Sequence, residues 1–272
     1  MCTYFAKVNP AALLKPVVHL CQEVGAFQME NLNQVSQHQV EDKGLNQLVS
    51  FVDQQSERRL TEGLSVLLPE SRFIGEEFAS QERETSGFTW VIDPLDGTTN
   101  FLHGLPVFSI SVALLQEGRP VLGVVHCPAL GETFTAVRGQ GAYLNGQRIQ
   151  VSSHADLSKS LLATGFPYYE FGKMQPYLEL LQVFMKGTQG LRRMGSAAID
   201  LAYTACGRFD AFFEMNLSPW DIAAGILLVE EAGGEVCDFS GGDSVLFGQE
   251  IIACSANLFP EFFPVVSAHL KD

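Results

Sequence analysis

The chain has 272 residues, of which 46% are hydrophobic and 18% are charged, so it can bury a sizeable core and does not have a disordered composition. Its formal net charge of -14 argues against nucleic-acid binding through a broad basic surface, and fits either ordinary solubility or a site that gathers carboxylates around cations. The six cysteines are scattered and form no CxxC pair, so they do not indicate a zinc site. The sequence has no apolar run of 18 residues and its N-terminus does not resemble a secretory signal. We therefore expect a cytoplasmic protein with reduced thiols.

Two helices are predicted at the start of the chain. Asn9 is suited to cap the first helix, with Pro10 at its first position, and Pro16 predicts a kink or a restart. A second helix is predicted to end at Pro69. The apolar residues with helical spacing are Leu13, Leu14, Val17, Val18, Cys21 and Val24 in the first helix, and Leu45, Leu48, Val49, Val52, Leu60, Leu64 and Leu67 in the second.

Strands are predicted in the middle of the chain, and strands alternating with helices in its second half. The middle strands are Arg72–Ile74, Thr89–Ile92, 107–116, 119–126, 132–137 and 142–150, with Asn145-Gly146 as a hairpin turn. The later strands are Leu161–Phe166, Ala211–Phe213, one from Val236 and Ile251–Ser255, and the later helices are 175–185, 196–206, 219–232 and one at the C-terminus. This order predicts a mixed fold, with an α+β half over 1–150 and an α/β half over 151–272.

Four acidic segments stand out, and three of them lie where a predicted element begins or ends. These three are Gly75-Glu76-Glu77, the stretch from Asp93 to Asn100, and Trp220-Asp221, whereas Asp53 is predicted within the second helix. Element ends expose side chains to clefts. Magnesium prefers oxygen ligands, and the spacing of Asp93 and Asp96 across a Pro-initiated turn can direct both carboxylates into one cavity. The Leu95 carbonyl is a further candidate ligand, Gly97 permits close backbone approach, and the N–H groups from Thr98 onwards could receive a phosphate.

Each segment also has an ordinary structural interpretation. Asp-Pro-x-Asp-Gly is common turn chemistry, Asp221 can be a capping acid, and Glu76 and Asp53 can be solvated acids. Each of these interpretations is sufficient by itself. The combination favours a site, because one fold would otherwise place several acids at element ends without pairing them.

Taken together and in this order, the segments resemble the inositol monophosphatase family. The resemblance rests on Gly75-Glu76-Glu77, on Trp90 through Phe101 and on Trp220 through Gly234, and it extends over almost the whole chain. The stretches Arg192 to Ala198 and Gly207 to Asp210 resemble the bacterial SuhB-type branch of the family. The resemblance implies the layered αβαβα sugar-phosphatase fold and a homodimer. The first half would carry most metal ligands, and the second half would carry Asp221 and the substrate contacts.

The resemblance also implies roles for individual residues. A first Mg²⁺ would be held by Glu76, Asp93 and the Leu95 carbonyl, a second by Asp93, Asp96 and Asp221, and a third, mostly hydrated, would lie near Glu76. Thr98 and Asp53 would orient and deprotonate the attacking water, and the N–H groups of Gly97 and Thr98 would bind the phosphate. Lys43 would lie on a mobile loop that closes over the metals. The residues expected to contact the substrate are Asp96, Ser196, Ala197, Glu214 and Asp221. The chain departs from the family pattern in one place, because Gln47 stands where an acid is usual.

The function that the resemblance implies is Mg²⁺-dependent, lithium-sensitive hydrolysis of a small phosphate monoester by direct transfer to water, with myo-inositol monophosphate as the favoured substrate. A covalent phosphoenzyme is not expected, since no Cys-x5-Arg loop is present. Alternative substrates within the superfamily are 3′-phosphoadenosine 5′-phosphate, fructose 1,6-bisphosphate and histidinol phosphate. A second role, as a partner of the transcription antitermination machinery, is the alternative from another class.

Overall fold

The computed structural model describes residues 8–34, 40–44, 47–77, 85–167 and 171–271. The α-helices of this part of the chain are α1 (Pro10–Asn31), α2 (Phe51–Leu67), α3 (Thr98–Leu102), α4 (Met174–Gly187), α5 (Ala197–Ala205), α6 (Pro219–Glu231), α7 (Val245–Gly248) and α8 (Phe259–Leu270). The strands are β1 (Val40–Gly44), β2 (Gln47–Ser50), β3 (Arg72–Gly75), β4 (Phe88–Asp96), β5 (Ser109–Gln116), β6 (Arg119–Cys127), β7 (Glu132–Val137), β8 (Gly141–Leu144), β9 (Gln147–Ile149), β10 (Leu161–Thr164), β11 (Gly190–Arg192), β12 (Ala211–Met215), β13 (Gly234–Cys237) and β14 (Glu250–Ser255).

The strands form one small hairpin and two larger sheets. The hairpin pairs β1 with β2. The seven-stranded sheet follows chain order from β3 to β9, and its strands are antiparallel except that β3 runs parallel to β4. The five-stranded sheet has the order β11-β10-β12-β14-β13. The strands β11, β10 and β12 are parallel to one another, and β14 runs antiparallel to both of its neighbours, β12 and β13. The expected division near residue 150 falls between the two sheets and stays a prediction as a domain boundary.

Side chains alternate between the faces of each sheet, and this alternation fixes five layers. In the seven-stranded sheet Trp90 packs towards α1 and α2, whereas Val91 packs towards α5 and α6. In the five-stranded sheet Phe212 faces the same central helices, whereas Phe213 packs against α4 and α8. The order helix, sheet, helix, sheet, helix is the αβαβα arrangement that was expected.

The central helix α6 is apolar on all sides, as a helix between two sheets must be. Gly225 allows α5 to come close, since a Cβ at this position would lie 2.4 Å from the Leu201 side chain. On the other side, Gly123 of β6 lies against the α6 backbone, where a Cβ would be 3.0 Å from the Ala224 carbonyl oxygen. The helix α6 is therefore packed closely against both α5 and the first sheet, and its backbone lies directly against β6.

Two of the predicted helices differ in detail from the structure. The helix α1 continues through Pro16 without a restart, and Asn9 caps it as expected by accepting a 3.1 Å hydrogen bond from the Ala11 N–H. The helix α2 begins at Phe51 rather than near Leu45, which lies outside the described residues. Ser50 is extended (φ -121°, ψ 169°) and its hydroxyl accepts from the Val52 N–H, so the helix starts there and the preceding residues form β2.

The other predicted strands and helices are present with shifts of a few residues, whereas α3, α7, β1, β2 and β11 were not predicted. None of the helices in the described part of the chain is long and apolar enough to cross a membrane. The cysteines within these residues are free thiols.

Candidate active site

A cavity of about 210 Å³ opens where the two sheets and the start of α5 and α6 come together. Its wall contains Glu76 from the first sheet, Asp221 from α6 and Glu214 from β12. The charged residues among its described lining are Glu76, Asp96, Arg193, Asp200, Glu214 and Asp221. Acids that are far apart in the sequence are thus brought to one cavity, with one arginine among them.

The segment from Asp93 to Asp96 is a bulge inside β4 rather than a turn after a strand. Asp93 pairs with Ser111 and Asp96 pairs with Ser109, so the β4 strand has one more residue than β5 between the two pairs. The bulge contains Pro94, which has no N–H to give to the ladder. Asp93 is 2% exposed and accepts a 3.0 Å hydrogen bond from the Leu95 N–H. A bulge re-aims side chains, and here it separates Asp93 and Asp96 while keeping both near the cavity.

Gly97 follows the bulge and begins α3. Its φ of 99° lies in the left-handed region, and a Cβ would approach the Val107 carbonyl oxygen to 2.9 Å. The following hydroxyl of Thr98 donates to Asp53 Oδ1 at 2.8 Å, and it also lies 3.1 Å from the Leu95 carbonyl oxygen. The structure therefore joins Asp53 and Thr98, although 45 residues separate them.

Asp53 lies within the second helix as predicted, and the structure places it in the first turn of α2. Its Oδ2 accepts from the Ser50 N–H at 2.9 Å and from the Ser50 hydroxyl at 2.6 Å, which completes a capping box. Burial raises the pKa of the Asp53 carboxyl, and its hydrogen bonds with Ser50 and Thr98 oppose that rise. All four acidic segments thus lie at element ends.

Asp96 connects the first sheet to the beginning of α5. Its Oδ2 accepts from the Ser196 hydroxyl at 2.6 Å and from the Ala198 N–H at 2.8 Å. Burial raises the pKa of Asp96 to about 6, while the bonds from Ser196 and from the α5 amides, together with the charge of Arg193, hold it down. Ser196 also caps α5 by accepting from the Ile199 N–H, so one hydroxyl serves both the helix and the acid.

Asp221 and Glu76 complete the acidic group. Asp221 occupies the third position of α6 in a capping box with Ser218, whose N–H donates to it at 2.7 Å. Its pKa is raised to about 8, first by burial and then by the charge of Asp96. Glu76 follows directly after β3 and lines the cavity. The predicted capping interpretation of Asp221 is correct, and it does not compete with a place in the cavity.

The donor set of this cavity fits a hard divalent cation. The pKa of Asp93 is well above its usual range because the carboxyl is buried and because Glu76, Asp96 and Asp221 repel its negative charge. Such mutual repulsion among buried carboxylates is relieved by a cation. Within the described residues, no group of three or more aspartate, glutamate, histidine or cysteine side chains is arranged so that it could hold a metal ion as it stands. Mg²⁺ commonly keeps several waters and needs only one or two carboxylates at once, so an open arrangement of acids suits it.

Glu214 lines the cavity near the end of β12. It is 7% exposed, and burial raises its pKa to about 8, an effect that Arg193 opposes and Asp96 reinforces. A Cβ at Gly165 would fall 1.7 Å from a carboxylate oxygen of Glu214, so the glycine leaves the room that this side chain occupies. Ser196 and Ala197 are also in the wall, as the prediction for the substrate side required.

Four residues that support the cavity were absent from the predicted site. Gln28 of α1 donates to the Pro94 carbonyl oxygen at 2.7 Å, and Asn100 donates to the carbonyl oxygens of Val107 and Met194 at 2.7 and 2.9 Å. Glu57 accepts from the Glu77 N–H at 2.7 Å, and Asp200 lines the wall. Only Glu57 had a sequence signal, since it follows Asp53 by four residues and thus shares its helix face.

Two predicted positions fall at the edge of what the structure describes. Lys43 lies in β1 and Gln47 in β2, so the backbone there is an antiparallel hairpin. Their side chains lie outside the described residues, and the expected role of Lys43 stays a prediction.

Comparison with known proteins gives a consistent result. A profile described as the inositol monophosphatase family matches residues 9–270. The chain is 43% identical to the Nus factor SuhB of Pasteurella multocida, over 85% of this chain and 86% of that protein, and 43% identical to the inositol-1-monophosphatase of Rhizobium meliloti, over 89% and 94%. Among solved structures, the extragenic suppressor protein suhB from Bartonella henselae superposes with a TM-score of 0.87 at 38% identity, covering 96% of this chain and 99% of that one.

Proposed function

We propose that this chain, which belongs to the inositol monophosphatase family, hydrolyses a small phosphate monoester with Mg²⁺ as its cofactor. Family membership supports a phosphatase at the coarse level. The finer proposal rests on one observation, which is that Asp93 is buried beside Glu76, Asp96 and Asp221, three acids that line a single cavity. Divalent cations would reduce the repulsion among these four carboxyl groups. The same cations would neutralise the charge of a bound phosphate dianion.

Two or three Mg²⁺ ions would be held by Glu76, Asp93, Asp96 and Asp221, with the Leu95 carbonyl as a further oxygen ligand. When bound, Mg²⁺ supplies neutralisation of the phosphate charge and activation of the attacking water. The capping boxes of α2 and α6 and the bulge of β4 hold the acids on regular elements, so little reorganisation is required on binding.

The hydrogen bond between Thr98 and Asp53 gives the chain a route for the proton of the attacking water. Because the Thr98 hydroxyl donates its proton to Asp53 Oδ1, its oxygen lone pairs are free to accept from a water. Asp53 can take the proton that Thr98 passes on, and burial favours its neutral form. The N–H groups of Gly97 and Thr98 are proposed to bind phosphate oxygens.

We propose myo-inositol monophosphate as the substrate, with products inositol and phosphate. Glu214, Ser196 and Ala197 line the cavity together with Asp96 and Asp221, and we propose that all five contact the substrate.

A parallel activity panel tests this proposal directly. The purified protein is assayed with Mg²⁺ on myo-inositol 1-phosphate, 3′-phosphoadenosine 5′-phosphate, fructose 1,6-bisphosphate and histidinol phosphate. We expect the highest kcat/KM with the inositol phosphate. A clear preference for one of the others would reassign the substrate while leaving a phosphatase, and no hydrolysis of any of them would contradict the proposal.

Removal of the metal should abolish activity. With excess chelator we expect turnover to fall to background and to return on addition of Mg²⁺, and we expect Li⁺ to inhibit by occupying the second site. Full turnover in excess chelator would exclude the proposed cofactor.

A second candidate function follows from the relative named Nus factor SuhB. We propose that this chain can also bind transcription antitermination proteins, as a homodimer in the cytoplasm. A pull-down with transcription factors and the Asp93→Asn variant separates the two functions, because binding should survive the loss of the metal-binding acid. Light scattering gives the oligomeric state.

A further inference from the structure

Asp200 is a buried acid whose carboxylate no described residue fully engages. It lies in the first turn of α5, its side chain lines the cavity, and the residue is 1% exposed. Within the described part of the chain, its Oδ1 has no hydrogen-bond partner. Buried polar atoms without a partner are uncommon in folded proteins and costly, so each one needs a physical explanation.

The helix itself does not need this carboxylate. Ser196 caps α5 through the Ile199 N–H, and Asp96 takes the Ala198 N–H, so the free amides at the start of the helix already have acceptors. An apolar residue at position 200 would satisfy the packing without burying a charge. The acid therefore has no role in the stability of α5 that the structure reveals.

The neighbours of Asp200 define a subsite with a particular chemistry. The charged groups that act on it are Glu214 from β12, Asp96 from the β4 bulge and Arg193, which precedes α5. Glu214 and Asp96 repel the negative charge of Asp200, and Arg193 attracts it. The two carboxyl groups can accept hydrogen bonds and the guanidinium can donate them. This combination of acceptors and a donor matches the neighbouring hydroxyls of a polyol.

We infer that Asp200 is a specificity-determining residue that forms, with Glu214, a two-carboxylate subsite for hydroxyl donors on the alcohol half of the substrate. This inference rests on the proposed function, and it adds a residue to the contacts expected at Ser196, Ala197 and Glu214. A substrate hydroxyl would donate a hydrogen bond to Asp200 Oδ1, which has no partner within the described part of the chain. An alcohol half with no hydroxyl leaves it unsatisfied and forfeits that interaction.

The experiment compares two substrates that share the phosphate and differ in the alcohol half. These are myo-inositol 1-phosphate, with several hydroxyls, and p-nitrophenyl phosphate, with none. For Asp200→Leu, which has a similar volume, we expect the ratio of kcat/KM for the inositol phosphate to that for p-nitrophenyl phosphate to fall by about tenfold or more. Asp200→Asn retains one carbonyl acceptor and should restore part of the ratio.

Two further measurements separate specificity from folding. Removing a buried carboxylate without a partner should leave the Tm of Asp200→Leu at or above that of the unaltered protein. Thr89→Val is the matched control, because Thr89 is also buried, its Oγ1 has no hydrogen-bond partner within the described part of the chain, and it lies outside the cavity lining. We expect Thr89→Val to leave the substrate ratio within about twofold of the unaltered protein.

The outcomes distinguish this inference from the proposed function. An unchanged ratio in a folded Asp200→Leu protein, or an equal loss with both substrates, would overturn the role of Asp200 while leaving the phosphatase intact. If Asp200→Leu fails to fold, Asp200→Asn carries the same test with a smaller expected change. If the unaltered protein hydrolyses neither substrate with Mg²⁺, the proposed function itself fails, and calorimetric titration of Mg²⁺ then shows whether the metal site exists.

Discussion

Asp93 is a residue whose burial is unfavourable for the metal-free protein and is explained by the proposed function. It is buried, it accepts a hydrogen bond from the Leu95 N–H, it shares a side-chain hydrogen bond with Asp221, and Glu76, Asp96 and Asp221 repel its negative charge. In the absence of a cation this arrangement costs free energy, since a buried carboxylate with carboxylate neighbours is disfavoured when ionised. Selection for a stable core alone would not place it there.

Replacing Asp93 by Asn should therefore remove function without removing the fold. Asn keeps an acceptor for the Leu95 N–H but loses the charge, so we expect Mg²⁺ affinity to drop and kcat to fall by at least about a hundredfold. The Tm should not decrease, because one source of repulsion is gone. Phosphatase kinetics, Mg²⁺ calorimetry and thermal unfolding check these three points.

Asp156→Asn is the matched control for Asp93→Asn. Asp156 is an exposed acid paired with Lys159 at 2.8 Å and lies outside the cavity lining, so its loss should leave kcat unchanged. A folded Asp93→Asn protein with normal turnover would refute the metal assignment.

Gly97 is a second position where one residue type is required. A side chain would have to adopt a φ of 99° and would approach the Val107 carbonyl oxygen to 2.9 Å. We expect Gly97→Ala to reduce the free energy of unfolding by about 2 kcal/mol or more and to lower kcat. In contrast, Gly187→Ala, at a site where a Cβ meets nothing within 4 Å, should be neutral or slightly stabilising. Urea unfolding curves of the two variants decide this.

At the scale of elements, the site acids are positioned by features that also begin or bend those elements. Asp53 and Asp221 each occupy the third position of a capping box, in α2 and α6. Asp96 sits at the end of a bulge and accepts from the start of α5. Each of these three carboxylates thus accepts a hydrogen bond at the start of a helix and also belongs to the candidate site. The stability of the helix ends and the proposed function therefore depend on the same hydrogen bonds.

Changing the cap of α2 should consequently affect both properties. Ser50→Ala removes the hydroxyl that donates to Asp53 at 2.6 Å and accepts from the Val52 N–H. We expect a loss of about 1 kcal/mol in the free energy of unfolding and a lower kcat, because Asp53 is less firmly oriented towards Thr98.

The control for this change lies on the same helix. Ser65 is exposed, and its hydroxyl donates a hydrogen bond to the Thr61 carbonyl oxygen at 2.7 Å. We expect Ser65→Ala to change the free energy of unfolding by less than about 0.5 kcal/mol and to leave kcat unaltered. If Ser50→Ala lowered stability but not kcat, the capping box would be purely structural.

At the scale of the whole molecule, the cavity gathers charge from both sheets. Glu214 and Asp221 have pKa values raised to about 8 and Asp96 to about 6, each with burial as the first cause. In the unfolded chain these acids titrate near their usual values of about 4. Between about pH 4 and about pH 8 the unfolded state therefore binds fewer protons than the metal-free folded state, and folding stability falls as the pH rises.

The metal-free protein should accordingly have a lower Tm at about pH 8 than at about pH 5. Mg²⁺ should raise the Tm more at the higher pH, because only ionised carboxylates bind it and binding to the folded state stabilises that state. Scanning calorimetry with and without Mg²⁺ at both pH values tests this, and an equal Mg²⁺ effect at the two pH values would contradict it. The Asp93→Asn variant should show a smaller response to Mg²⁺.

The amino-acid sequence by itself determined the periodic helices and strands, the hairpin at Asn145-Gly146 and the acidic character of the candidate site. These features depend on neighbours a few residues apart, which the sequence displays directly. It could not reveal that residues up to Ser50 pair with β1, so that α2 begins only at Phe51, or that the Asp93 segment is a bulge, since both follow from pairing with other strands. Only the tertiary structure brought Asp200 and Arg193 to the cavity wall, because the layers of the fold decide which residues on α5 and before it face Glu214 rather than solvent.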